Sequence, residues 1–580
     1  MEIKMKKITA IILTLALVLG ASLTLVSCGA PKDKGAEISV YLGEEFYDFD
    51  PSEYTVDSNA EALMSLLYDP LFTTDANGKV RPSAAKKYEH NKEERELVIE
   101  LRESYWSDGK RVTADDFIYA WTKILLEPSN ANPAAALFYD IENALAVKNG
   151  TASIYDLGAR KTGVYQITIT YREGADVTRL LTNLSSVATA PLREDIVTAS
   201  PSSWSKRPAN AVFNGAFKLA MIDYDDGILT VARNEGYHQK MTSTKYTKYV
   251  NPSILYSTFN AEGAETKISY KDLESKTVFY MTEASLADRK ANAANATVSD
   301  DLSVYSYVFN TDKPLFAIKE VRQALSMVID RASIIEAITF GKAADGFIPA
   351  AIEGFRSEAL ISASAAKSEA NALLAGVDLS GISKEFSVAI NDDPESVAIA
   401  EIVKAAWESL DAGFTVNIVK LGTIETQVSQ TETLTDSALQ VLVTEIANDV
   451  ADFDVVGLDW QLYSPDPFVA LSAFASAFSG NGVNFQTGAT RTNISGWADT
   501  QYDYYINEAY KATDDDARTS ALRKAEAILV DAAPIVPVVF NQNFSFSSAD
   551  LSGVKTDVFG NFVYNKMALK NYRDYLEENN

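Results

Sequence analysis

The chain has 580 residues, 47% of them hydrophobic, with 28 Tyr and 26 Phe. That is enough apolar side chain for several packed domains and too much for a disordered polymer. The 52 Lys and Arg against 79 Asp and Glu leave a net charge of −27, which excludes nucleic acid and anionic lipid headgroups as partners held by charge. A single cysteine excludes a disulfide framework and any cysteine-built metal site. The acidity reads as a solubility device, with attraction of basic ligands as the second reading.

The N-terminus is the first feature in chain order. Lys4, Lys6 and Lys7 precede an uncharged stretch from Ile8 to Ser27, which closes on Leu25-Val26-Ser27-Cys28-Gly29. A basic start, an apolar run and small residues before a cut describe a secretory signal over residues 1–27. Leu-Val-Ser-Cys resembles the lipobox of bacterial lipoproteins, in which cleavage falls before the Cys and its thiol takes a diacylglycerol. The competing reading is an uncleaved membrane anchor, since the stretch is nearly long enough to span. That the only cysteine of the chain sits on the cleavage junction favours lipidation of Cys28. Residues 1–27 carry one Glu and three Lys, a sum of +2, so their removal takes the charge from −27 to −29. Attachment then rests on the lipid, at about 0.8 kcal/mol per buried CH₂. Residues 28–37 are small and polar and read as a tether. The expected location is the outer face of the cell membrane, in an organism with a thick wall and no outer membrane.

From Ile38 onward the pattern is α/β. Leu97 to Leu101 reads as a strand, Ser107-Asp108-Gly109-Lys110 as a turn, and Thr113 as the N-cap of a helix through Phe117, Trp121 and Ile124. Val321, Ala324, Leu325, Val328 and Ile329 fall at helical spacing, with Gly341 beyond their continuation. Phe386 to Ile390 reads as a strand, Ile399 to Leu410 as a helix stopped near Gly413, and Phe414 to Ile418 as a second strand. Strands alternating with helices favour a mostly parallel sheet. The Ala-rich stretches 287–298 and 359–376 read as loops and helices.

Four segments together resemble the family 5 solute-binding proteins, the oligopeptide and dipeptide receptors of ABC transporters. The first is Tyr105-Trp106-Ser107-Asp108-Gly109 running into Val112-Thr113-Ala114-Asp115-Asp116-Phe117. The second is Phe213-Asn214-Gly215-Ala216-Phe217, followed by Ala232-Arg233-Asn234-Glu235-Gly236-Tyr237. The third is Phe309-Asn310-Thr311, leading into Val321-Arg322-Gln323-Ala324-Leu325 and Ile329-Asp330-Arg331. The fourth is Arg518 and Ala521 to Glu526, then Ala533-Pro534-Ile535-Val536-Pro537. The likeness runs from about residue 38 to about 572 and is weakest over 240–300. It implies a two-lobed type II clam shell. Lobe I would comprise 38–305 and 535–580, including an extra subdomain at about 76–205. Lobe II would comprise 306–534. It also implies a monomer that closes on an oligopeptide and delivers it to membrane permease subunits. The alternatives are a binding protein for a non-peptide solute and a surface sensor or adhesin that kept the fold.

The family's ligand segment carries a Trp, two variable residues and an Asp that pairs with the peptide α-ammonium. The matching stretch here is Asp459-Trp460-Gln461-Leu462-Tyr463-Ser464-Pro465-Asp466-Pro467. Trp460 matches the Trp, as ligand wall or as core. Tyr463 stands where the Asp should be, and a phenol offers no salt bridge at pH 7. Asp459 would point away from the Trp face. Asp466 is either a ligand contact or an N-cap ahead of Pro467. Phe46 and Tyr47, where the family's first strand reaches the cleft, line the pocket or the core, and Asn214 and Gly215 lie near the expected lobe boundary. The Trp106-Ser107-Asp108-Gly109 turn reads as structural. No catalytic constellation emerges. His90 lies among charges and His238 at a turn, too few for a triad or a His-built zinc site, and no phosphate-binding glycine loop is present. Neither enzyme activity nor a cofactor is expected.

Overall fold

The computed structural model describes residues 36–43, 48–53, 58–75, 77–127, 133–201, 203–207, 210–223, 228–239, 247–256, 258–259, 265–266, 268–356, 358–429, 433–478, 493–557, 559, 562–563 and 567–570. Its centre is a pair of antiparallel strands of thirteen residues each, Thr297–Phe309 and Ile535–Ser547. Thirteen extended residues reach about 43 Å, long enough to pass from one lobe into the other.

On one side, Val455–Gln461 lies antiparallel to the first long strand, followed by Glu385–Asn391 and Thr415–Leu421. On the other, Tyr280–Met281 pairs with the far end of the second long strand, followed by Ala36–Gly43 and Thr247–Tyr256. One sheet therefore runs through all of these strands. The boundaries expected at 306 and 535 fall within the first long strand and at the start of the second.

The register between the long strands breaks twice, between Asp300 and Val304 and between Tyr305 and Ser306. Both breaks have local causes. Pro537 sits opposite Ser306 and has no N–H to give a central ladder, so a bulge accommodates it. At the other break Asn541 supplies side-chain hydrogen bonds, its Nδ2 donating to Ser303 Oγ at 2.8 Å and to Asp459 Oδ1 at 2.5 Å.

The expectation of a mostly parallel sheet is not met. Among the described residues, parallel pairing in this sheet is confined to Ala36–Gly43 with its two neighbours and Glu385–Asn391 with its two neighbours. Parallel neighbours need a crossover connection. One is the helix Pro394–Glu408, which buries Ile399, Val403 and Trp407 and starts at Asp393, whose carboxylate accepts from Glu395 N and Ser396 N. The two long strands, with residues 310–534 between them in the chain, pair antiparallel.

The other elements follow the sequence closely. Helix Lys319–Met327 covers Val321, Ala324 and Leu325 of the expected run and ends before Val328 and Ile329, and Gly413 takes the positive φ (+74°) of a chain stop. A separate apolar core gathers Tyr305, Val321, Leu325, Trp407 and Val416 beneath these elements. Residues 85–170 include a four-stranded antiparallel sheet, Ala85–Asn91, Glu96–Leu101, Gln166–Thr170 and Ala159–Gly163. Beside it Trp106 is buried, its Nε1 donating to Asp116 at 3.2 Å, while Asp116 also accepts from Thr113 N at the start of helix Ala114–Leu126. Of the described residues, no helix is long and apolar enough to cross a membrane.

Candidate functional site

The strand Val455–Gln461 carries the segment singled out by sequence. It packs deeply because Gly457 leaves room: a Cβ there would lie 2.8 Å from both Tyr305 Oη and Tyr307 Cε1. Successive side chains of a strand face opposite ways, and they do here. Trp460 packs on Phe474 (centroids 5.1 Å apart) and Phe347 (6.1 Å). Its Nε1 is buried and has no acceptor among the described residues.

Asp459 and Gln461 share the other face. Burial pushes the Asp459 carboxyl up to about 8, against the hydrogen bond from Asn541, and nearby Glu395, Asp393 and Asp301 add to the rise. Gln461 is 2% exposed; its Nε2 donates to Glu61 Oε2 at 2.9 Å, and its Oε1 has no partner among the described residues. Glu61, itself 2% exposed, comes from helix Ser58–Leu67 of the first lobe. This bond joins residues 400 positions apart in the chain.

Tyr463 is fully buried in a left-handed conformation (φ +61°), with its hydroxyl 3.5 Å from Ser52 O. Ser52 belongs to an acidic stretch. Lys123 pairs with Asp50 at 2.9 Å and with Glu53 at 3.5 Å, and burial followed by Asp50 raises the Asp48 carboxyl to about 6.

Asp466 is the N-cap of helix Pro467–Ser472 and accepts from Phe468 N at 3.1 Å. It also holds Arg518 through two 2.8 Å bonds and lies 3.6 Å from Arg179 Nε. Burial alone would raise its carboxyl, but the two guanidiniums hold it below the usual carboxylate range.

Further contacts close the same seam. Ser464 Oγ donates to Asn183 Oδ1 at 2.6 Å, and Tyr139 Oη to Phe478 O at 2.8 Å. Asp140 accepts from Arg172 at 2.6 Å and Arg179 at 2.9 Å, while the Arg172 guanidinium lies 4.0 Å above the Tyr510 ring. Lys206 is ion-paired to Asp436. A cavity with room for about one water remains among Asp140, Arg172, Asn183, Asp466, Tyr510 and Arg518.

Gln461, Tyr463 and Asp466 thus come together on one seam, while Trp460 packs on Phe347 and Phe474. Asn214 lies apart from the seam: its amide accepts from Asp69 N at 3.0 Å and donates to Asp69 O at 2.8 Å. Gly215 beside it is required by contact, since a Cβ would meet Leu67 C at 2.5 Å. Phe46, Tyr47 and Cys28 lie outside the described residues. Glu61 and Gln461 escaped the sequence reading. The available signal was a lone carboxylate inside the apolar run Ala60 to Leu67, and a Gln next to the Trp.

His90 Nε2 is 2.9 Å from Tyr171 Oη. His238 is buried, 2.8 Å from Asp69, which also accepts from Ser83 Oγ. The carboxylate sits between hydroxyl and imidazole. The hydroxyl therefore bonds the acid and not a base, which is not the order that activates a nucleophile.

A family model described as bacterial extracellular solute-binding proteins, family 5 Middle, matches residues 79–482. The oligopeptide-binding protein OppA of Bacillus subtilis is 25% identical over 510 residues, 86% of each chain. The dipeptide-binding protein DppE of the same organism is 25% identical over 585 residues, 96% of this chain and 98% of the other. The probable deoxycholate-binding periplasmic protein YgiS of Escherichia coli is 25% identical over 534 residues, covering 89% and 90%. Among solved structures, Haemophilus influenzae OppA in complex with RPPGFSPFR superposes with a TM-score of 0.73 at 21% identity, covering 93% of this chain and 99% of that one. The murein tripeptide binding protein MppA of Escherichia coli superposes at 0.72 and its unliganded open form at 0.55, each at 22% identity and 93% of this chain, with 99% and 98% of theirs. These likenesses establish the two-lobed type II fold. The family model spans well over half of the 580 residues, and the chain belongs to the bacterial extracellular solute-binding proteins of family 5.

Proposed function

We propose that this chain is the extracytoplasmic substrate-binding lipoprotein of an ABC importer, capturing oligopeptides between its lobes and handing them to a membrane permease. It acts as a binding protein and not as an enzyme. In this reading the lobes divide near residues 306 and 535, Cys28 carries the lipid, and the ligand lies along Trp460 and Tyr463 with Phe46 and Tyr47 nearby. Asp466 serves chiefly as cap and ion-pair partner.

The observation that carries the reading is the seam itself. Trp460 and Gln461, consecutive residues on a deeply buried strand, each keep one polar atom without a partner among the described residues, where the lobes meet. Buried polar groups are normally satisfied, and a ligand enclosed by closure would satisfy the one turned toward it. Peptide as the ligand class follows the names of the relatives OppA and DppE. The better match to one MppA structure than to its unliganded open form supports a closed arrangement.

The second reading, a non-peptide solute, draws on the equal identity to a probable deoxycholate-binding protein. Native mass spectrometry of the mature domain with Cys28 replaced, followed by denaturation, separates the two. Release of peptides several residues long, or a thermal shift with a peptide library, is the expected result. A shift with bile acids and none with peptides would overturn the peptide reading.

A further inference from the structure

Four side chains along the first lobe's contact with Val455–Gln461 form a polar strip: Glu61, Gln461, Asp459 and Asp301. Glu61 and Gln461 are each 2% exposed and Asp301 3%. The side-chain hydrogen bonds recorded to Asp459 and Asp301 come from Asn541, Ser303 and Asn543, all neutral. Neither aspartate is ion-paired with a described residue. Among these four, the buried Glu61 carboxylate faces Gln461 directly.

The second observation is independent of charge. Gln461 turns its amide N–H to Glu61, which leaves Oε1 beside the carboxylate, buried and without a donor. Turning the amide over would set its oxygen against the carboxylate and orphan the N–H₂ instead, a worse arrangement. The missing partner is therefore a donor that tolerates a carboxylate as its second neighbour. A cation with several N–H groups fits that description, and an alkylammonium has three. A peptide's amino terminus and a lysine side chain each carry such a group.

We infer that Glu61 and Gln461 together form the receptor for the ligand's alkylammonium group, one from each lobe, so that the cation is clamped only when the lobes meet. This rests on the peptide-receptor reading and names the specificity residues within it. Tyr463 then has no ammonium to pair; its phenol lies against Ser52 O instead.

The ammonium has two sources, the peptide's α-amino group and a lysine side chain, and the probes separate them. Binding is measured by isothermal titration with a tetrapeptide library with free amino termini, the same library acetylated, and an acetylated library with lysine at position 3. These are titrated into wild-type protein, Glu61→Gln and Gln461→Met, with thermal melting of each variant to confirm folding. The wild type is expected to bind an ammonium-bearing library at least tenfold more tightly than the acetylated lysine-free one, and Glu61→Gln to bring that ratio to within threefold. Gln461→Met narrows it in the same direction. Loss of the preference on acetylation that lysine does not restore assigns the α-amino group, and restoration by lysine assigns the side chain. A wild type indifferent to both ammonium sources, or a folded Glu61→Gln that keeps the full ratio, would overturn the assignment while leaving peptide binding intact. Absence of binding by every library would remove the peptide reading itself, and this inference with it.

Discussion

Arg179→Met tests how the seam is held. Arg179 touches carboxylates on both sides, 2.9 Å from Asp140 and 3.6 Å from Asp466. The change leaves no orphaned charge, because Asp140 keeps Arg172 and Asp466 keeps both bonds to Arg518. At an effective dielectric of 20, a pair about 4 Å apart interacts by about 4 kcal/mol. Desolvation of a side chain 12% exposed and the second guanidinium on Asp466 consume part of that. A net loss of about 2 kcal/mol in favour of the open state follows, about a thirtyfold change in the closed-to-open ratio. Small-angle scattering, or distances between labels on the two lobes, would show a ligand-free population moved toward open. Peptide affinity should weaken by up to the same factor, because binding draws on the closable fraction. An Arg179→Met protein with unchanged lobe separation and unchanged affinity would refute the reasoning, and Asp140, Arg179 and Asp466 would then be no more than a rim network.

Three further outcomes are expected. The folded state keeps on Asp459 a proton that the unfolded chain gives up near pH 3.8, since its carboxyl is raised to about 8. That stability is full below pH 3.8 and is lost as the pH rises toward 8, at up to about 1.4 kcal/mol per pH unit. Asp459→Asn should therefore flatten the fall in Tm between pH 5 and 8, and parallel Tm curves for the two proteins would show an ordinary carboxyl. Gly215→Ala should destabilise the protein by about 2 kcal/mol or more, because its Cβ meets backbone that cannot swing aside; denaturant midpoints within error of wild type would contradict the close approach. Cys28→Ser should end labelling by a radioactive fatty acid and move the protein from the membrane fraction to the soluble one, and retention in the membrane would favour an uncleaved anchor.

Periodicity and capping were legible in the sequence because they are local. Thr113, Gly413 and Asp466 declare a helix start, a chain stop and a cap within four residues of themselves, and each occupies that role. Partner choice was not legible. Alternating strands and helices suggested parallel neighbours, yet nothing local to Thr297–Phe309 or Ile535–Ser547 states that they pair antiparallel with each other. The site divides in the same way. Trp460 and Tyr463 could be found from the residues around them, while Glu61 and Gln461 are 400 positions apart. Glu61 sits in an apolar helix that gives no reason for its charge until the other lobe is in place.

The polar strip also bears on how closure and ligand are linked. Asn541 fills the register break of the long strands and joins Ser303 to Asp459, and two residues further along the same face Gln461 reaches Glu61. The break in the crossing strands and the Glu61–Gln461 contact thus lie two residues apart on one face of one strand. Straightening the strands at that break would pull Ser303 and Asp459 away from one amide, at a cost of about 1 kcal/mol per bond. Were the lobes to part there, Glu61 would leave Gln461. A group bound between Glu61 and Gln461 would add its own contacts to only one of the two arrangements, which is the differential affinity a ligand needs to shift a hinge. Where the bonds exchanged are each worth about 1 kcal/mol, a single charge-assisted contact of about 1.5–3 kcal/mol is enough to set such a preference.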